Sequence, residues 1–201
     1  MTAEHSLLVF PVGHYVGERH PEEHHVVRVG LTHQRLTADG FGVWVIAHGS
    51  EEIGKGLWTL EAVFDLAEAA GLSGVPDLVA TMIESGLLVT VAADRDAACR
   101  FAATYRLNPM LVGLGNTDRE PDCYQLGLPG LPVAVLDRTA YELWQWSRVA
   151  PSLWHTCMVR EKVLAGLGER VAAADLVEGL LGDLRELLAS GCAFLDLAEQ
   201  R

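Results

Sequence analysis

The stretch from Leu136 to Ser147 reads Leu-Asp-Arg-Thr-Ala-Tyr-Glu-Leu-Trp-Gln-Trp-Ser, and the stretch from Leu36 to Ala47 reads Leu-Thr-Ala-Asp-Gly-Phe-Gly-Val-Trp-Val-Ile-Ala. In both stretches the apolar residues have the spacing of a helix that buries one face, and that face carries aromatic side chains. Asp137 or Thr139 can cap the later helix, and Thr139 with Glu142 has capping-box spacing. Four apolar positions recur 100 residues apart: Leu36 and Leu136, Phe41 and Tyr141, Val43 and Leu143, Trp44 and Trp144. The chain is therefore predicted to hold one domain twice.

Further matched residues flank these stretches in the same order. They are Pro11 with Pro109, Gly17 with Gly115, residues 29–31 with 126–128, and residues 85–86 with 190–191. Their separations drift from 97 to 105 residues, as small loop insertions would produce. In each copy the order is short strands, three helices and a final strand, which is the order of a winged helix. We predict an α+β fold, mainly helical, with tandem winged-helix-like repeats over residues 1–95 and 106–201, joined by a connecting helix over residues 96–105.

Glycine, proline and capping residues set the boundaries predicted for individual elements. Residues 17–25, the polar run Gly-Glu-Arg-His-Pro-Glu-Glu-His-His, are predicted as a loop. Residues 26–31, 87–91 and 192–197 are predicted as strands. In the first copy, Thr59 is predicted to cap the second helix and Pro76 to open the third. In the second copy the third helix is predicted to start at Asp175, with Glu178 in capping-box position.

The charge balance is acidic and unevenly distributed. The formal net charge is −12, and half of the 201 residues are apolar, so each copy can bury a core. The first 98 residues hold five basic and fourteen acidic residues, a balance of −9, and the remainder holds ten and thirteen, a balance of −3. This surplus favours a basic partner and disfavours nucleic acid. Because no apolar run reaches about 18 residues and no signal-peptide pattern is present, we expect no membrane span and a cytoplasmic location.

The potential metal ligands and nucleophiles do not form a recognisable enzyme site. His20, Glu22, Glu23, His24 and His25 are the densest set of potential ligands, but adjacent residues rarely face one ion together, and residues 116–123 of the second copy lack the histidines. We therefore predict a solvated loop, with no metal and no cofactor. The four cysteines have no CxxC spacing and are predicted to be free thiols. No catalytic motif is present, so the protein is predicted not to be an enzyme.

A winged helix raises the possibility of DNA binding, which the charges of the third helices oppose. Residues 76–85 contain Asp77 and Glu84 and no basic residue, and residues 175–190 contain Arg185 against four acidic residues. A recognition helix needs basic or amide side chains to reach phosphates and base edges. A transcriptional regulator that contacts DNA through another face stays open as an alternative. The basic residues available to such a face are Arg138, Arg148, Arg160 and Lys162.

The half-chain pattern resembles the peptide-recognition winged helices of ribosomal peptide biosynthesis, of which the pyrroloquinoline quinone chaperone type is an example. In those domains the first helix begins with a Leu-polar-x-Thr-Ala-aromatic motif, and the third helix ends with a Leu-x-x-Leu-x-x-x-Gly motif. Residues 136–141 match the first motif and residues 184–191 match the second, whereas residues 36–41 and 79–86 match less well. The resemblance implies a leader peptide bound as an added strand beside the sheet, packed against the third helix.

Three functions follow from these observations. We predict a non-enzymatic peptide- or protein-binding module, with a DNA-binding regulator as the alternative and a metal-dependent enzyme as the weakest candidate. The candidate edge strand is residues 26–31, on which alternation places Val27, Val29 and Leu31 on one face. The predicted peptide-binding residues on that strand and on the third helix are Val27, Val29, Leu31, Asp77, Leu78, Met82 and Glu84.

Overall fold

A computed structural model describes residues 7–21, 23–50, 55–56 and 58–199, and it confirms the α+β class. These residues form ten strands and seven helices. The first half comprises β1 (Leu8–Pro11), β2 (His14–Arg19), β3 (His24–Val29), β4 (Thr32–Leu36), α1 (Ala38–Ile46), α2 (Leu60–Ala69), α3 (Val75–Glu84) and β5 (Leu88–Val91). The second half comprises α4 (Arg95–Thr104), β6 (Tyr105–Pro109), β7 (Val112–Thr117), β8 (Glu120–Leu128), β9 (Leu131–Leu136), α5 (Arg138–Ser147), α6 (Leu153–Gly166), α7 (Ala173–Ala189) and β10 (Ala193–Leu197).

The strands pair in the same way in both halves. β1 pairs with β5 and β6 pairs with β10, each antiparallel. The other strands form two antiparallel three-stranded sheets, in the orders β2-β3-β4 and β7-β8-β9. The element order and the strand pairing of the first half therefore recur in the second half from β6 to β10, and α4 precedes these recurring elements.

The loop predicted for residues 17–25 is confirmed at His20, Pro21 and Glu23, which form a turn, but is wrong at both ends. Residues up to Arg19 belong to β2, and His24 begins β3. The register of the β2–β3 pair shifts between Tyr15 and Gly17, and Gly17 has φ +116. A glycine at a β-bulge lets the strand continue past an extra residue, although in the sequence the same glycine resembles the end of a strand. Residues 116–123 of the second copy likewise lie in the β7–β8 hairpin, where Thr117 ends β7 and Glu120 begins β8.

Helix starts follow the capping prediction except at α7. Asp137 caps α5 by accepting from the Ala140 N–H, and Thr59 caps α2 by accepting from the Ala62 N–H. α7 begins at Ala173, two residues before the predicted start, and has no side-chain cap. The Asp175 carboxylate instead accepts a hydrogen bond from Arg95 of α4. Asp175, which was predicted to cap α7, therefore forms an ion pair between α7 and α4.

The repeated aromatic positions form the same stack in both halves. In the first half the His25 ring lies 4.1 Å from the Phe41 ring, and the Trp44 indole N–H donates to the Val12 carbonyl. In the second half the corresponding rings are Tyr124 and Tyr141, 4.6 Å apart, and the Trp144 indole N–H donates to the Met110 carbonyl. Each stack fixes the first helix of its half against its three-stranded sheet.

The two halves share buried surface. Leu8 and Phe10 of β1 belong to the core of the second half, whereas Val9, between them, belongs to the core of the first. Successive side chains of a strand point to opposite faces, so the β1–β5 sheet lies between the two cores. The Gly13 N–H donates to the Leu195 carbonyl at 2.8 Å, and the Gly30 N–H donates to the Asp196 carboxylate at 2.6 Å. Packing and hydrogen bonds therefore hold the halves together.

Candidate functional site

The strand predicted to be an edge is the central strand of its sheet. β3 pairs with β2 on one side and with β4 on the other, so the edge assignment of residues 26–31 is wrong. Val27 and Val29 are buried in the core of the first half. Leu31 is fully exposed, because it lies after Gly30 in the turn to β4 rather than on the strand. These side chains do not form one ligand-facing stripe.

The third-helix residues of the predicted site separate into core and surface. Met82 is 2% exposed, and its terminal methyl lies 3.5 Å from the place where a Cβ on Gly40 would stand. Leu78 is half-buried, while Asp77 and Glu84 are exposed. Met82 therefore supports the contact between α3 and α1.

Each three-stranded sheet has two outer strands, β2 and β4 in the first half and β7 and β9 in the second. Among the described residues, β4 pairs with β3 and β9 pairs with β8. In an antiparallel pair, alternate residues of an outer strand direct their N–H and C=O groups away from the sheet. Such an edge can accept an additional strand.

The two edges differ in side-chain chemistry. Val133 and Val135 of β9 are 48% and 55% exposed, and they share a face because they lie two residues apart. Leu36 and Leu136 both end their strands, so the corresponding positions of β4 are His33 and Arg35. Charged residues protect natural edges from unwanted pairing. β9, with the sequence Leu-Pro-Val-Ala-Val-Leu, has no charged residue.

The opposite face of β9 is fixed by the core. Leu136 is buried and Ala134 packs against the core of the second half. The β8–β9 register shifts between Leu126 and Gly127, where a Cβ on Gly127 would lie 2.8 Å from the Pro132 Cα. Glycine is therefore required at this bulge. Pro132 is the sequence signal for this edge, since proline within a strand is typical of outer strands.

A charged cluster lies at the end of β9 and joins the halves. The Lys55 ammonium lies 2.6 Å from the Asp137 carboxylate and 2.5 Å from the Asp183 carboxylate of α7. The Glu186 carboxylate is 4.0 Å from the same ammonium. The hydroxyl of Thr139, considered above as a cap, lies within hydrogen-bonding distance of both carboxylates, 2.9 Å from Asp137 and 3.2 Å from Asp183.

Burial and hydrogen bonding set opposite pKa shifts within this cluster. Burial raises the pKa of Asp183 and of Glu186, although Lys55 acts to lower both. Burial also acts to raise the pKa of Asp137, but hydrogen bonds from the Ala140 N–H and from Lys55 outweigh it and lower the value. Lys55 is therefore the main group that opposes the effect of burial on the pKa of Asp183.

The potential metal ligands are divided by the β2–β3 hairpin. His24 and His25 are neighbours on β3 and so point to opposite faces. His25 stacks on Phe41 and hydrogen-bonds to the Tyr15 hydroxyl at 3.1 Å. Glu22 lies outside the described residues, and within the described ones no group of three or more ligand side chains is placed to hold a metal.

The third helices do not present a basic face. Arg185 of α7 is 3% exposed and donates to the carbonyls of Gly56 and Ser50 in the first half. It also lies over the Trp58 ring, 5.6 Å from the ring centroid. This guanidinium therefore contributes to the contact between the halves and is not available to a phosphate.

All four cysteines are free, and Cys157 and Cys192 are buried. Burial raises the pKa of Cys157 to about 12.

None of the helices in the described ranges is long and apolar enough to cross a membrane. Comparisons with protein-family models, with curated proteins and with solved structures found no match.

Proposed function

We propose that each half is a winged-helix-like unit and that the protein is a non-enzymatic peptide-binding module. An extended segment of a partner adds to the β7-β8-β9 sheet as a fourth strand beside β9. The observation that carries this proposal is an outer strand with two half-exposed valines, Val133 and Val135, and no charged residue. Backbone hydrogen bonds supply affinity in this mode, and side-chain contacts at alternate positions supply selectivity.

The sequence resemblance to peptide-recognition winged helices supports the same mode, since those domains bind a leader peptide as an added strand. Two physical features of β9 favour it further. The Tyr124–Tyr141 stack and the Gly127 bulge fix the strand before a ligand binds, which lowers the ordering cost of association. Pro132 has no N–H, so pairing with a ligand centres on residues 133–135.

The ligand is expected to be apolar at alternate positions and basic elsewhere. Val133 and Val135 would contact its apolar side chains. The net charge of −12 attracts a basic chain and raises its association rate at low salt. The same charge disfavours the DNA-binding alternative.

A peptide selection tests the proposal. A displayed library of random twelve-residue peptides is selected on the immobilised protein, and the affinity of the enriched peptides is measured by fluorescence anisotropy. Val133→His with Val135→Arg gives β9 the chemistry of β4 while retaining its backbone. We expect this double variant to bind about tenfold more weakly, because a contact energy of about 1.4 kcal/mol corresponds to a factor of ten.

Val149→Lys is the matched control, because Val149 is 70% exposed and lies after α5, away from the sheet. It should bind as the unmodified protein does. Hydrogen exchange should show slower exchange of the outward-facing amides of β9 when peptide is bound. Unchanged affinity in a folded double variant would refute the proposal, as would a dimer that dissociates on the same substitutions, since it would assign the edge to a second copy of the chain.

A further inference from the structure

A cavity of about 340 Å³ lies between α5, α6 and α7 of the second half. Apolar side chains from the three helices form its walls, among them Leu143, Trp146, Leu164, Leu176 and Leu180. Trp146 is 40% exposed although it lies at the cavity. The volume is near the lower end of the roughly 300–1,000 Å³ typical of small-molecule sites.

The first half shows why this cavity exists. There, Leu72 follows the end of α2 and packs against α1: a Cβ on Gly42 would lie 3.0 Å from its side chain. The Leu72 N–H donates to the Ala67 carbonyl, and the Glu169 N–H donates to the Leu164 carbonyl in the same way after α6. Glu169 is therefore the counterpart of Leu72, and Glu142, 100 residues after Gly42, is the counterpart of that glycine.

Helix length and charge both keep the second site open. α6 has 14 residues and α2 has 10, so the turn that follows α6 is carried about 6 Å further along the helix axis. Where the first half has a leucine against a glycine, the second half has two glutamates. Like charges cannot close a gap by packing together.

The charges around the cavity select its ligand. The charged side chains that line it are three carboxylates, Glu142, Glu169 and Asp183, and two guanidiniums, Arg138 and Arg160. Arg138 is paired with Glu142 at 2.8 Å, and Arg160 lies 4.0 Å from Asp183. Glu169 is exposed and is the remaining lining carboxylate without a described ion pair. Asp183 is also paired with Lys55 at 2.5 Å, so the charge that selects a ligand is that of Glu169 at the mouth, which attracts a cation and repels an anion.

We propose that this cavity binds an apolar chain or ring that carries a protonated amine. The apolar part lies against Leu143, Leu164 and Leu180, and the ammonium lies at the mouth near Glu169. The exposed Trp146 ring offers the ammonium a second, cation–π contact. This site is separate from the β9 edge and does not depend on the proposed peptide binding.

Titration calorimetry with n-octylammonium and with octanoate, which share one tail length and differ in charge, tests the proposal. We expect saturable binding of one n-octylammonium per chain and at least tenfold weaker binding of octanoate. Glu169→Gln should weaken n-octylammonium binding about threefold, the size of an exposed ion pair. Val163→Trp, at a half-exposed position on the cavity wall, should abolish binding without disturbing the core.

Two controls complete the experiment. Glu84→Gln makes the same substitution on an exposed position of α3 and should leave binding unchanged. The double variant Val133→His, Val135→Arg should also bind n-octylammonium normally, which separates this site from the edge strand. Octanoate binding as tight as that of n-octylammonium, unsaturable uptake, or full binding by folded Val163→Trp would each overturn the proposal.

Discussion

Replacing Lys55 by methionine tests whether the charged cluster stabilises the contact between the halves. The Lys55 ammonium pairs with both Asp137 and Asp183, and the Asp183 side chain is only 5% exposed. Without Lys55, the nearest cation to Asp183 within the described part of the chain is Arg160 at 4.0 Å. The substitution therefore leaves a buried carboxylate without a close counter-charge.

The expected cost follows from burial. Removing one partner of a fully buried ion pair costs about 3–5 kcal/mol. The Lys55 side chain is 35% exposed, so water already screens part of the interaction, and we expect a loss of about 2–3 kcal/mol at pH 7. Lys55→Met combined with Asp183→Leu removes both charges. The double variant should lie within about 1 kcal/mol of the unmodified protein, because an apolar pair of similar volume replaces the ion pair.

Urea denaturation at pH 7 and pH 5, followed by tryptophan fluorescence, measures these differences. Burial raises the pKa of Asp183 in the folded state, so the folded chain binds this proton more readily than the unfolded chain. Lowering the pH through that folded pKa therefore reduces the penalty in Lys55→Met. A single variant within about 0.5 kcal/mol of the unmodified protein at pH 7 would refute the reasoning, as would a double variant whose loss equals the sum of the two single losses.

Three further predictions concern the first half and the whole chain. Burial against Trp44 lowers the pKa of His48 from 6.5 to about 4, so its protonation should cost stability progressively as the pH falls from 6.5 to 4. By linkage the full loss would be about 3 kcal/mol, and we expect about 2 kcal/mol because the ring keeps some exposure. His48→Asn should flatten this part of the plot of urea midpoint against pH. An unaltered plot would contradict the assignment. Gly13→Ala should lower the free energy of unfolding in urea by more than about 2 kcal/mol, since the new Cβ would lie 2.6 Å from the Val27 side chain at φ +103. Gly17→Ala, at φ +116 with open space around it, should lower it by about 1 kcal/mol. Equal losses in the two variants would exclude the steric explanation. Raising the salt concentration from 50 to 500 mM should slow the association of a selected basic peptide in stopped-flow measurements, and a rate independent of salt would exclude steering by the net charge of −12.

The sequence predicted those features that local chemistry determines. The aromatic positions of α1 and α5 lie where their spacing placed them, and Thr59 and Asp137 cap helices through side-chain oxygens. These features depend on residues a few positions apart. Helical spacing and capping geometry are legible at that range.

The features that the sequence did not predict depend on longer contacts or on strand irregularity. β2 was missed because the bulge at Gly17 looks like a break, and the displaced edge assignment followed from that omission. The cluster around Lys55 joins residues 82 and 128 positions apart, which no local pattern records. The cavity of the second half depends on one extra turn in α6, and helix ends are the least certain part of a sequence interpretation.

The differences between the halves are concentrated at positions that the common scaffold does not constrain. Val43 and Trp44 of α1 are buried, as are Leu143 and Trp144 of α5, so packing restricts these positions to similar side chains in both copies. At the surface, His33 and Arg35 of the first half correspond to Val133 and Val135 of the second. On the third helix Leu78 corresponds to Asp183, because Leu78 precedes Ser85 by the same distance as Asp183 precedes Ser190. In the second half these changes make an apolar strand edge and place a buried carboxylate against Lys55 of the first half. The first half thus supplies a cation that the second half requires, and the second half holds the uncharged outer strand β9 and the cavity. We therefore expect the proposed binding functions to depend on the intact chain and to lie in its second half.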